Sequence, residues 1–135
     1  MIIGIDSLRS FINFSNNSRF LGGNEISIIS YNVRLFNIYK WIEEDNVNMK
    51  IRDFLNEKNP DIICLQEYQN SEFKIHNYPY VYEKLRGDNL KYGQAIFSKY
   101  PIINKGSVDF NSSSNNAIFS DIKTVSYTHL RAHET

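Results

Sequence analysis

The chain has 135 residues, with 15 Lys and Arg against 15 Asp and Glu. That length is one domain's worth and can bury about 68% of the surface its unfolded form exposes. The zero net charge argues against a strongly basic nucleic-acid platform or a membrane-surface patch, though not against a local phosphate site. No segment reaches the roughly 18 consecutive apolar residues that a membrane span needs.

The first stretch, MIIGIDSLRSFINF, is apolar but interrupted by Asp6 and Arg9. It lacks the basic start and small-residue cleavage site of a signal peptide. It reads as a short amphipathic element, or as the remnant of something longer upstream. Residues 15–24, SNNSRFLGGN, are polar and glycine-bearing and read as a linker, so 1–24 is an extension before the domain. Glu25 to Asn32, EISIISYN, carries β-branched residues on both faces and predicts a strand. VRLFNIYKW follows as a loop. From about Asn46 the pattern becomes helical, with Val47, Ile51, Phe54, Leu55 and Lys58 at three- and four-residue spacing. Asp45 or Asn46 can cap its start, and Asn59 before Pro60 ends it.

PDIICLQEYQ comes next. Ile62 to Leu65 is an apolar run that predicts a strand buried on both faces, ending abruptly in Gln66 and Glu67. Cys64, the one cysteine, cannot form an internal disulfide and reads as an inert core thiol. Glu25 to Glu67 is then a strand–helix–strand unit of the size a parallel crossover requires. The two strands run the same way, so Asn32 and Glu67 close their carboxyl ends on one edge. In open α/β sheets that edge is where ligands bind.

Beyond Tyr68 the pattern turns antiparallel. YPYVYEKLR and KYGQAIFSKY flank the turn Gly87 to Asn89, and KGSVDF and NNAIFSDIKT flank an Asn/Ser turn. The last eleven residues, VSYTHLRAHET, Val125 to Thr135, resemble one translated frame of a transposase-type sequencing adapter. They are expected to add nothing coherent to the core, and the domain is expected to end at Thr124. On a helix His129 and His133 would share a face as a zinc pair. The adapter resemblance removes that reading and leaves His76, which has no telling neighbour. Removing Arg131 and Glu134 leaves the charge balanced.

Glu67 has three readings from its position alone: a solvated strand end, a ligand for a hard divalent cation, or a general base. A carboxylate on a rigid buried strand suits magnesium, which takes oxygen donors and often few protein carboxylates. Gln66 alternates to the other side, in support. Asn32 is either a turn-forming residue or an amide that hydrogen-bonds a phosphate oxygen or a metal-bound water. Arg34 could reach phosphate. No P-loop or G-x-G-x-x-G is present.

ISIISYNVRLFN, then PDIICLQE, then YGQAIFSKYPI come in an order and spacing that resemble the endonuclease/exonuclease/phosphatase superfamily, in its bacterial form. The likeness spans about Ile26 to Asn104 and continues weakly to Thr124. It implies an α/β (α+β) fold, a partial four-layered sandwich of two mixed sheets with helices outside. It implies magnesium- or manganese-dependent hydrolysis of phosphate esters. Asn32 falls on the family's first-motif asparagine, which helps hold phosphate and metal-bound water. Glu67 falls on its metal-binding glutamate, so both are expected at the metal site. Gly93 to Pro101 matches a structural signature without a catalytic group.

The family's Asn-x-His, Gly-Asp-Phe-Asn and Ser-Asp-His segments are missing, so the expectation is the N-terminal half of a phosphodiesterase domain over residues 25–124, inactive alone. The substrate is expected to be a phosphate ester, from nucleic acid or a phospholipid headgroup, with no obligate protein partner. Similar bacterial proteins can carry upstream membrane helices, which leaves cytoplasmic and membrane-associated locations both open. The alternative is a non-catalytic α/β binding module on the same strand-end edge.

Overall fold

The computed structural model describes residues 25–70, 73–111, 115–124 and 129–134. The N-terminal extension, 1–24, lies outside them. The first strand, β1, is Ile28–Asn32, shorter at its start than the β-branched pattern predicts. The helix, α1, is Val47–Lys58, and it buries Ile51 and Leu55, two members of the predicted stripe. Asn46 stands at its N-cap with a left-handed backbone and no side-chain cap bond, so the expected cap is not made. Asn59 ends it as a left-handed C-cap whose N–H donates to the Leu55 carbonyl at 2.9 Å. An asparagine tolerates that conformation better than most residues, and Pro60 behind it bars further helix.

Then follow β2 (Ile62–Gln69), β3 (Tyr80–Arg86), β4 (Tyr92–Ser98), β5 (Ile102–Asp109), β6 (Asn116–Lys123) and β7 (His129–Glu134). They form a four-stranded mixed sheet in the order β1-β2-β4-β3 and a three-stranded sheet in the order β5-β6-β7. β1 and β2 are parallel, in register from Ile28 opposite Ile62 to Asn32 opposite Gln66. The second sheet, as described, is antiparallel throughout.

Alternation along β1, β2 and β4 divides the core in two. Ile29, Tyr31, Val33, Ile63, Leu65, Ala95 and Phe97 face the helix. Ile62, Cys64 and Ile96 face Ile118, Ile122 and Ala132 of the second sheet. The layers are therefore helix, sheet, sheet, as in an α/β sandwich. Cys64 is 2% exposed, in keeping with a core thiol. At the amino ends of β1 and β2, Asp61 ties the strands together: its Oδ2 accepts from both the backbone N–H and the hydroxyl of Ser27 at 2.9 Å.

Of residues 125–135, 129–134 are described, and against the expectation they contribute to the core. β7 pairs antiparallel with β6 from Ile118 opposite Glu134 to Lys123 opposite His129, and Ala132 is 5% exposed in the inter-sheet core. A β-hairpin partner is held largely by its backbone groups, and Ala132 is small enough for the inward position it takes. His129 and His133 lie on a strand, without the helical spacing of a zinc pair.

Candidate active-site corner

Strict alternation would keep Asn32 and Glu67 apart. Asn32 belongs to the face of β1 that looks toward the second sheet, in register with Gln66. Glu67, two residues after Leu65, would fall on the opposite face, among the groups that pack on the helix. A β-bulge resolves the conflict. Leu65 pairs with Ala95 and Tyr68 with Gly93, so Gln66 and Glu67 together stand against Gln94 alone. Tyr68 takes the helix-facing position, and Glu67 is turned out of the alternation.

The bulge is made by Glu67 itself, whose φ of 46° is left-handed. A residue with a side chain pays about 1–3 kcal/mol for such a conformation and keeps it only where the surroundings enforce it. Bulges commonly re-aim a side chain beside a functional site. Here the enforcing element is Tyr68. Its ring is 1% exposed and makes edge contacts with Phe36, Phe73 and Phe97 at 6.0, 6.0 and 5.7 Å. Its hydroxyl donates to Glu83 Oε1 at 2.8 Å. Burial, then the Glu83 hydrogen bond and charge, drive the Tyr68 hydroxyl well above its ordinary pKa. Gly93, opposite, has no room for a side chain: a Cβ there would sit 1.9 Å from the Lys84 carbonyl oxygen.

The result is direct contact. Asn32 Nδ2 donates to Glu67 Oε1 at 2.9 Å. The backbone N–H of Arg34 donates to Asn32 Oδ1 at 3.0 Å, which fixes the amide with its nitrogen toward the carboxylate. Val33 N–H extends the parallel ladder by donating to the Gln66 carbonyl at 3.0 Å. Gln66 turns its amide to the Ser30 hydroxyl, again at 3.0 Å, and so supports the strand pair. Arg34 to Asn37 form a short turn with φ of 45°, 52°, 53° and 62°, a second strained segment beside the same corner. It carries Phe36 back onto Phe73, ring on ring at 4.7 Å.

Glu67 is exposed, and it has no cationic partner among the described residues. Among those residues no group of three or more His, Cys, Asp and Glu side chains gathers around one point. The donor set therefore fits one ligand of a hard cation, a carboxylate steadied by an amide. His76 lies exposed in the connection between β2 and β3. Spacing along the chain found the two corner residues but not the bulge or Gln94, which faces it. The available signal for Gln94 was a polar side chain on the inward face of an otherwise apolar strand, YGQAIFS.

No helix among the described residues is long and apolar enough to cross a membrane. None of the curated proteins matches the chain in sequence. Among solved structures, the chain resembles an endonuclease/exonuclease/phosphatase from Beutenbergia cavernae with a TM-score of 0.61 at 9% identity, covering 80% of this chain and 37% of that one. It also resembles an endonuclease/exonuclease/phosphatase family protein from Leptotrichia buccalis with a TM-score of 0.56 at 15% identity, covering 82% of this chain and 54% of that one. These identities speak for the fold alone, and the chain spans less than two thirds of either structure. A sequence model of the Endonuclease/Exonuclease/phosphatase family matches residues 29–134, from the second residue of β1 to the last of β7. With that match running through both sheets and the helix between them, the chain belongs to the endonuclease/exonuclease/phosphatase family.

Proposed function

We propose that this chain carries the metal-anchoring and phosphate-orienting corner of a phosphoesterase or nuclease that works with magnesium or manganese. The observation that carries the reading is the 2.9 Å contact between Asn32 and Glu67, made at the carboxyl ends of two parallel strands by a strained bulge. The family's hydrolytic fold supports it. Glu67 would hold the cation, which supplies charge stabilisation for a phosphoryl oxygen and its leaving group. Asn32 orients that carboxylate through one amide hydrogen and keeps its other for a phosphate oxygen or a bound water. Its own orientation is set by the Arg34 N–H, so no reorganisation is needed on binding.

The substrate in this reading is a phosphate ester, drawn from nucleic acid or a phospholipid headgroup. Activation of water falls to a group outside this pair, in the remainder of a longer domain. The chain by itself is then inactive, since a missing acid–base group typically costs about 10²–10⁴-fold. One carboxylate also binds magnesium weakly, because that ion dehydrates reluctantly.

The test is a chromogenic phosphodiester with magnesium or manganese, against a chelator control, beside manganese-induced broadening of the Asn32 side-chain amide resonances. The expected result is no turnover above background, with broadening that Glu67→Ala removes. Chelator-sensitive turnover by the 135-residue chain would overturn the half-domain reading. Broadening that survives Glu67→Ala would overturn the metal assignment. Phosphate-ester binding indifferent to metal would favour a non-catalytic binding module.

A further inference from the structure

The face of the first sheet that looks toward the second changes character along the strands. Toward the amino ends of β1 and β2 it is apolar, with Ile62, Cys64 and Ile96. At the candidate corner one register row is polar across all four strands: Asn32, Gln66, Gln94 and Lys84. The second sheet answers with polar groups of its own. Lys84 Nζ donates to Ser107 Oγ at 3.0 Å, Arg86 Nη2 to Asp109 Oδ1 at 2.5 Å, and Gln94 Nε2 to both the backbone oxygen and Oδ1 of Asn116, at 3.1 and 3.2 Å.

The Gln94–Asn116 contact is incomplete. Gln94 is 9% exposed and Asn116 7%, and both Gln94 Oε1 and Asn116 Nδ2 are buried without a hydrogen-bond partner. Exchanging oxygen and nitrogen does not repair this. A flipped Gln94 would set its oxygen against the Asn116 backbone oxygen. With Gln94 so fixed, Asn116 must keep Oδ1 toward Gln94 Nε2. The two amides therefore meet at one edge and splay at the other, with an unused acceptor on one lip and an unused donor on the other. Buried polar groups in native proteins are almost always satisfied by protein or by ordered water. A water is the smallest group that both accepts and donates, and buried waters characteristically sit on such otherwise unsatisfied pairs.

We propose that Gln94 and Asn116 form a buried hydration site between the two sheets, whose water accepts from Asn116 Nδ2 and donates to Gln94 Oε1. Gln94 is the single residue of β4 that stands against the bulge. The hydrated clamp thus ties the start of β6 to the segment that carries Glu67, and Gln94 is a positioning residue for that segment. The inference rests on the packing of the two sheets and not on the metal-dependent reading of the corner.

The full 135-residue chain tests it by NMR. The Asn116 side-chain amide is expected to show a cross-peak to a water held for longer than about a nanosecond. Gln94→Met is expected to abolish the cross-peak and to speed amide exchange at Tyr68 by on the order of tenfold. Adding Asn116→Leu to that variant is expected to restore most of the lost stability, because the orphaned amide leaves with its partner. Absence of the cross-peak in the native chain would overturn the hydration site. Strictly additive losses in the double variant, or unchanged exchange at Tyr68, would overturn the tie to the bulge. A Gln94→Met chain that does not fold leaves the cross-peak in the native chain to decide the hydration site, and rescue by Asn116→Leu to decide the coupling.

Discussion

The two halves of β2 are built on different rules. From Ile62 to Leu65 every residue is at most 2% exposed, alternation is strict, and each side chain packs on the helix or on the second sheet. From Gln66 to Gln69 the same strand bulges, takes a left-handed residue and points a carboxylate outward. The first half obtains its stability from burial. The second gives up some stability for the placement of one side chain. The aromatic residues around Tyr68 join the two, because their packing is what makes the irregular half hold its shape.

Alkali gives the largest way to break that arrangement. Burial pushes the hydroxyl of Tyr31 up to about 12, and burial followed by the nearby charge of Asp61 pushes Tyr78 up to about 12. Tyr68 is raised further in the same direction, and Tyr100 is raised by burial and then by Asp61. An unfolded tyrosine releases its proton near pH 10. Below that pH both states are protonated and the stability these residues contribute is fully present. As the pH rises from about 10 through 12 the unfolded state loses protons that the folded state keeps, so stability falls. Cooperative loss of near-ultraviolet circular dichroism between pH 10 and 12 is expected, with phenolate absorbance rising in the same transition. Ionisation of all nine tyrosines before the circular dichroism is lost would show that these hydroxyls are not shielded.

Next in size is the regular half of β2. Leu65 is fully buried, and Leu65→Ala is expected to destabilise by about 2–5 kcal/mol, read as a fall in the urea midpoint. Smaller is Tyr68→Phe, which keeps the ring contacts and removes only the donor to Glu83. Glu83 can turn to water, so the loss is expected near 1 kcal/mol. A much larger loss would mean that the hydroxyl, rather than the ring, holds the bulge.

The regular half is also the half that the sequence makes legible. Four consecutive apolar residues after Pro60, and a three- and four-residue apolar period before it, were enough to place β2, α1 and the parallel pairing. The bulge was not legible, because its left-handed residue is a glutamate. Glycine or asparagine would have signalled it; nothing about Glu67 does. The meeting of Asn32 with Glu67 followed from a shared edge, but edge alone ignores face, and without the extra residue alternation separates them. β7 was missed for another reason. Its residues resemble something unrelated to the fold, yet a strand at the free side of a hairpin is specified largely by backbone pairing, which many sequences satisfy. Gln94 was visible only as a polar residue in an inward position, and its significance depends on a bulge in a neighbouring strand.

The smallest expected effect has the opposite sign to the others, and it separates the two halves most sharply. Glu67→Gly places glycine where φ is 46°. Glycine adopts that region freely, so the strain is relieved, while its greater freedom in the unfolded chain offsets part of the gain. The lost hydrogen bond from Asn32 is exposed to water and weighs little. The net expectation is stability unchanged or raised by up to about 1 kcal/mol, together with loss of any manganese-induced broadening at the Asn32 amide. Stability gained as the carboxylate is lost is the signature of a residue kept for chemistry rather than for folding. Equilibrium urea unfolding of the variant beside the native chain measures the first quantity, and NMR the second. A drop of more than about 1 kcal/mol would show that Glu67 is part of what holds the bulge. The two halves of β2 would then follow one rule.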